Sequence, residues 1–253
     1  MGDIAGSSMP KTRRRRRATF FSVLGELLIT AGVVALLYVS WQMWIGDWII
    51  GTQKQAEASQ LTQSWAQEFE NAVPTPLPTK DAEPVVPVLK QAKHGETFGV
   101  MQVPRFGAKW KFEITGGVTR PDVLDQGDIG HYPDSAMPGQ VGNTVFAAHR
   151  WTSGAPFDPI DKLVVGDAIV IETRDGWYTY RFRTLEYVQD TQVDVLLPVP
   201  QRAGVEAEGR YLTLTSCAPK LNMLERIIAY ALFESFTPRA DGPPASLTEG
   251  VAA

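Results

Sequence analysis

The sequence predicts a mostly β domain closed into a barrel and preceded by one membrane-spanning helix. Two observations carry the β reading. Short segments of alternating polarity recur between residues 96 and 236, and Gly, Pro and Asp punctuate the gaps between them. A third observation, the apolar run over about residues 20–45, carries the helix.

The apolar run is broken only by Glu26, Gln42 and a few hydroxyls, and it exceeds the roughly 20 residues that cross a bilayer core. Lys11 and Arg13 to Arg17 stand before it, and no comparable basic cluster lies beyond it. That asymmetry predicts a cytoplasmic N-terminus and an external C-terminal part. It argues against a nucleic-acid arm, so no nucleic-acid partner is expected. Trp41, Trp44 and Trp48 suit the far interface. A cleaved signal peptide fits less well, because the apolar run is too long and no small-residue cleavage pattern comes after it. Residues 1–18 thus read as a cytoplasmic basic segment and 19–46 as a signal-anchor helix.

Residues 47–95 read as a stalk and linker. Leu61, Trp65 and Phe69 mark one face of a helix, and Pro74, Pro76, Pro78, Pro84 and Pro87 favour an extended spacer. The candidate strands are 98–103, 110–115, 143–148, 168–172, 177–187, 211–216 and 226–235, with a short helix over 122–128. Alternation is clearest where Tyr178, Tyr180 and Phe182 interleave with Thr179, Arg181 and Arg183. Six or more such strands imply a closed or nearly closed barrel, since an open sheet leaves exposed edges. The tail, 237–253, reads as flexible because of Pro238, Pro243 and Pro244 among small residues.

The chain has one cysteine, so no intramolecular disulfide forms. Cys217 ends an alternating run in which Thr213, Thr215 and Cys217 share one face and Leu212 and Leu214 the other. His149 ends a second apolar run, and Arg226 opens a third. A thiol with a pKa of ~8.5 needs a base or a positive neighbour to react at neutral pH. An imidazole can protonate a leaving amine, and a guanidinium fork can hold an oxyanion. The trio therefore suits acyl transfer, though spacing alone does not bring the three together. Taken singly, a buried cysteine, a solvated histidine and a surface arginine are equally compatible with the pattern.

Thr213-Leu214-Thr215-Ser216-Cys217 resembles the sortase signature Thr-Leu-Xaa-Thr-Cys, and Arg226 lies where that family carries its arginine. Gly130-His131-Tyr132-Pro133, Pro138-Gly139, Gly142-Asn143 and Ala148-His149 resemble the segment leading to the sortase histidine. Gly154-Ala155-Pro156-Phe157 and Leu163 through Gly166-Asp167 resemble the stretch on its C-terminal side. The His-Tyr-Pro element resembles the class E sortases of actinobacteria. Ser216 replaces the usual threonine and Ala148 a common glycine; neither change removes a catalytic group.

The resemblance covers about residues 96–236. It implies a sortase-type closed β-barrel of about eight strands with short helices, and a membrane-anchored transpeptidase. Cys217, His149 and Arg226 would be catalytic, with Tyr132, Thr215, Ser216 and His131 at the substrate groove. The implied partners are secreted proteins bearing a C-terminal sorting signal and a peptidoglycan precursor amine. No organic cofactor is implied, and the absence of a compact acidic loop leads us to expect no metal. The L,D-transpeptidases also pair cysteine, histidine and arginine, but they carry Ser-Xaa-Gly-Cys with arginine two residues on. Here Ser216 precedes Cys217 directly and Pro219 holds the second position. A non-catalytic, membrane-tethered β-domain is the remaining alternative.

Overall fold

A computed structural model describes residues 19–41, 45–72, 86–220 and 222–249. The basic cluster, Trp44 and the prolines at 74, 76, 78 and 84 lie outside these residues. The chain divides into two units, residues 1–42 and 43–253. In the first, α1 (Phe20–Ser40) has 21 residues and no buried side chain. At ~1.5 Å per residue it is about 31 Å long, the thickness of a bilayer core. By length and composition it qualifies as a membrane span, as a signal sequence also would.

The second unit opens with α2 (Gly46–Asn71) and continues as eight strands. These are β1 (Thr97–Gln102), β2 (Lys111–Gly116), β3 (Ile129–His131), β4 (Gly142–Ala147), β5 (Ala168–Glu172), β6 (Gly176–Gln189), β7 (Arg210–Ala218) and β8 (Glu225–Pro238). They close in the order β1-β2-β3-β4-β7-β8-β6-β5. The β2–β3 and β4–β7 pairs are parallel and the others antiparallel.

Period-two geometry sends Leu212 and Leu214 of β7 inward with Phe146, Phe112, Ile114, Ile169, Ile171, Tyr178 and Tyr180, all buried. The opposite face of β4 and β7 is also dry, because the connection after β6 covers it. Asn143 Nδ2 donates to the carbonyls of Val195 and Leu197, and Thr213 Oγ1 donates to Asn143 Oδ1 at 2.8 Å. Polar residues on this face are therefore buried but paired, as burial requires.

Three elements depart from the expectations in existence or placement, and a fourth, over 122–128, in helix type. The first is β3, which had no counterpart; three residues are too few for a period to register. Gly130 is its centre, and any side chain there would collide with the Gly117 carbonyl. The segment expected as a short helix over 122–128 is a single 3-10 turn, Leu124–Gln126.

The second is α2, which lies against the barrel rather than standing free as a stalk. Ala58 and Trp65 pack with Val100, flanked by Leu61, and Lys54 Nζ reaches Asp128 Oδ1 at 2.9 Å. Phe69, on the expected apolar stripe, stays exposed.

The third is the tail, which packs on the barrel over 239–247. Arg239 Nη2 contacts Glu172 Oε1 at 3.0 Å, and both side chains are less than a tenth exposed. The guanidinium also covers the Trp177 ring at 4.7 Å and donates to the carbonyl of Arg174. Leu247 packs beside Ala168, Val170 and Trp177. Arg239→Ala leaves Glu172 as a buried carboxylate without its cation. Such breakage costs about 3–5 kcal/mol, so chemical denaturation should show a lower midpoint with little change in slope.

Candidate active site

The strand register assembles the site. Cys217 on β7 stands opposite Arg226 on β8 as a cross-strand pair. Across the other edge of β7, the parallel pairing with β4 runs up to Ala147 opposite Thr215. Both strands advance in the same direction, and His149 comes two residues after Ala147 as Cys217 comes two after Thr215. The three groups therefore emerge at one end of the barrel. A cleft of about 670 Å³ collects them, with Tyr132, Trp151, Thr152, Thr215, Ser216, Leu124, Arg120 and the 222–224 turn on its walls.

Each group is held from behind. The guanidinium of Arg226 donates through Nη1 to the carbonyls of Met223 and Glu225, both at 2.9 Å. That fixes one arm of the fork and leaves Nη2 and Nε without a partner among the described residues. Cys217 is half-buried. Ser216 Oγ donates to the Ala148 carbonyl at 2.7 Å, and Thr215 Oγ1 donates to that of Phe146 at 3.2 Å. These hydroxyls tie β7 to β4 below the thiol and the imidazole. Both residues line the cleft, but their hydroxyls are already engaged with protein carbonyls.

His149 Nε2 lies 2.7 Å from Asp125 Oδ1. The His149 hydrogen bond, with Arg120 at 3.4 Å assisting, holds the Asp125 carboxyl below the usual carboxylate range. Asp125 was not anticipated: in sequence it is one acid within a Gly/Asp-rich turn, and nothing in its spacing points to His149. The loop after His149 is tied down next door. Arg150, almost fully buried, pairs with Asp161 at 2.9 Å, and Lys220, beyond Cys217, pairs with Asp158.

His131 corrects the expected groove. Its side chain is fully buried and does not line the cleft. Nε2 lies 3.0 Å from both the Ala136 carbonyl and Ser135 Oγ, and the ring packs against Phe98 and Phe146. Burial holds the imidazole below the usual histidine range, with the Ala136 carbonyl opposing. It shapes the barrel end from within while its neighbour Tyr132 faces the cleft. His94 is exposed beside Asp122, away from the cleft.

Residues 101–234 match the family model described as "Sortase domain". Sortase SrtE2 of Streptomyces coelicolor is 32% identical over 253 residues, covering 93% of this chain and 93% of that protein. Sortase SrtE1 of the same organism is 34% identical over 230 residues, and the match covers 88% of this chain; the chain spans 60% of that relative's length. Among solved structures, Sortase E1 from Streptomyces coelicolor with a tripeptide in its active site superposes with a TM-score of 0.57 and 36% identity. That match covers 62% of this chain and 99% of the solved one. With its eight-stranded closed barrel and these relatives, the chain belongs to the sortase family of cysteine transpeptidases and is of the class E type.

Proposed function

We propose that this sortase cleaves a C-terminal sorting signal between Thr and Gly and transfers the resulting acyl group to a peptidoglycan amine. The convergence of Cys217, His149 and Arg226 on one cleft is the observation that carries the reading. In the proposed reaction the Cys217 thiolate attacks the Thr carbonyl carbon, and the free arm of Arg226 faces the developing oxyanion. Collapse of that intermediate expels the Gly amine, which takes a proton from His149 and leaves a thioester on Cys217. The acceptor amine then attacks the thioester, returning a proton to the imidazole and releasing the thiolate. Asp125 takes up Nε2, so His149 presents Nδ1 for transfer; this gives the carboxylate an orienting role.

The peptide seen in the active site of the Streptomyces relative supports a peptide occupant for the cleft. α1 would anchor the enzyme, with the N-terminus cytoplasmic and the barrel outside. The preceding arginines and the apolar length of α1 support that topology.

Class E resemblance points to Leu-Ala-Xaa-Thr-Gly rather than Leu-Pro-Xaa-Thr-Gly as the signal. Tyr132, half-buried on the cleft wall, is the proposed discriminator: its ring would admit a methyl and crowd a pyrrolidine. Apolar discrimination of this size is worth ~1–3 kcal/mol, or roughly 10–200-fold in kcat/KM. We expect the parent to prefer the alanine peptide by that margin and Tyr132→Ala to lose the preference. Equal use of both peptides by the parent would remove the specificity claim. An unchanged ratio in Tyr132→Ala would remove the assignment to its ring.

A further inference from the structure

We infer that the N-terminal turns of α2 position His149, making the helix next to the anchor a working part of the active site. The inference rests on the sortase reading for its kinetic consequence, but the physical coupling is independent of that reading.

Three segments meet at one point. The first is α2 itself: Asp47, in its first turn, sits beside the backbone N–H groups of Ser153 and Gly154 and within the electrostatic reach of His149, all three of which favour its carboxylate. Burial against this loop pushes its carboxyl above the usual range, against the pull of those two donors. The second is the loop immediately after His149. Ser153, Gly154 and Ala155 have φ of 54°, 79° and 46°, three left-handed residues in succession, two of them carrying a Cβ. Left-handed backbone at non-glycine residues persists only where its surroundings enforce it. The third is the turn bearing Asp125, the ion-pair partner of His149.

The contacts between the three leave no slack. A Cβ on Gly51 would lie 3.2 Å from the Gly154 carbonyl oxygen, and one on Gly154 would lie 3.0 Å from the Gly51 nitrogen. Helix and loop backbones therefore touch directly. A Cβ on Gly127 would lie 2.7 Å from the Ser153 carbonyl oxygen and 3.3 Å from Cγ of Lys54. One residue further on, Asp128 pairs with Lys54. The helix thus grips both the loop continuous with the imidazole and the turn that supplies its carboxylate. None of Asp47, Gly51 and Lys54 lines the cleft. Their effect must pass through the segment that carries His149, Trp151 and Thr152, as a positioning effect.

The experiment uses the full chain in lipid nanodiscs, with Asp47→Ala, Asp47→Asn and Gly51→Leu. Hydrogen exchange followed by mass spectrometry reads the coupling directly. Asp47→Ala and Gly51→Leu should speed exchange of amides in 150–157 while strands β5 to β8 keep their protection. With a Leu-Ala-Xaa-Thr-Gly peptide, both variants should lower kcat by roughly 10–100-fold, the cost of a small misplacement, and leave KM within about twofold. Asp47→Asn keeps an oxygen acceptor for the loop amides and should recover most of kcat. Unchanged exchange in 150–157, or unchanged kcat in both disrupting variants, would overturn the inference. So would a loss carried by KM alone. A parent that cleaves no sorting peptide would instead count against the proposed function, and the exchange comparison would still decide whether α2 braces this loop.

Discussion

Cys217→Ala and His149→Ala should each abolish cleavage of a sorting peptide while leaving thermal unfolding nearly unchanged. Both residues sit at strand ends on the cleft rather than in the barrel core. Removing the half-buried thiol opens no large cavity, and changes of this kind stay within about 1 kcal/mol. Removing the imidazole costs the pair with Asp125, whose carboxylate is more than a third exposed. Solvent-accessible pairs of this type contribute ~0–1 kcal/mol. The proposed chemistry has no such tolerance, because in it each group carries a bond-making or proton-moving step. Peptide turnover by chromatography, with calorimetry on the same samples, checks both halves. Residual turnover within tenfold of the parent in either variant would contradict the proposed mechanism.

Arg226→Lys should be nearly as damaging. The arginine spends Nη1 on the Met223 and Glu225 carbonyls, which fixes the plane of the fork, and keeps its other nitrogens for the cleft. Lysine brings the same charge on one flexible nitrogen, which can satisfy the turn or the oxyanion but not both in this geometry. Loss of an oriented oxyanion donor costs ~10²–10³ in kcat. We expect a fall of that order, with KM changing much less, in steady-state assays of the full chain. Full activity would reduce Arg226 to a general positive charge.

These expectations rest on features that the sequence exposes unevenly. Segments such as 177–187 and 211–216 announce themselves because the barrel-core face is apolar while the other face carries Thr and Arg side chains, so polarity alternates. β3 shows no such signal: Ile129, Gly130 and His131 are three residues, too few for a period to register. The same limit explains His131. Its place in a family-like segment suggests a groove residue, whereas its exposure depends on Phe98 and Phe146, remote in sequence. The proposed catalytic trio is legible as three strand ends, but the register that brings them together is a property of the closed barrel.

Long-range ion pairs are the least legible. Asp125 reaches His149 across 24 positions and Arg239 reaches Glu172 across 67. Neither has a local pattern, because a carboxylate or guanidinium in a turn is usually solvated. The docking of α2 is intermediate. Its contact stripe of Ala58, Leu61 and Trp65 is real in the sequence but narrow, and a narrow stripe on a polar helix suits a stalk equally well.

In the proposed reaction Cys217 forms a thioester with the acyl half of a sorting signal. Intact-protein mass spectrometry after brief incubation with a Leu-Ala-Xaa-Thr-Gly peptide, in the absence of an acceptor amine, measures it directly. The expected result is an adduct with the mass of the peptide up to its Thr, mapped to Cys217, released by hydroxylamine and absent from Cys217→Ala. Cleavage of the peptide that proceeds undiminished in Cys217→Ala would contradict it.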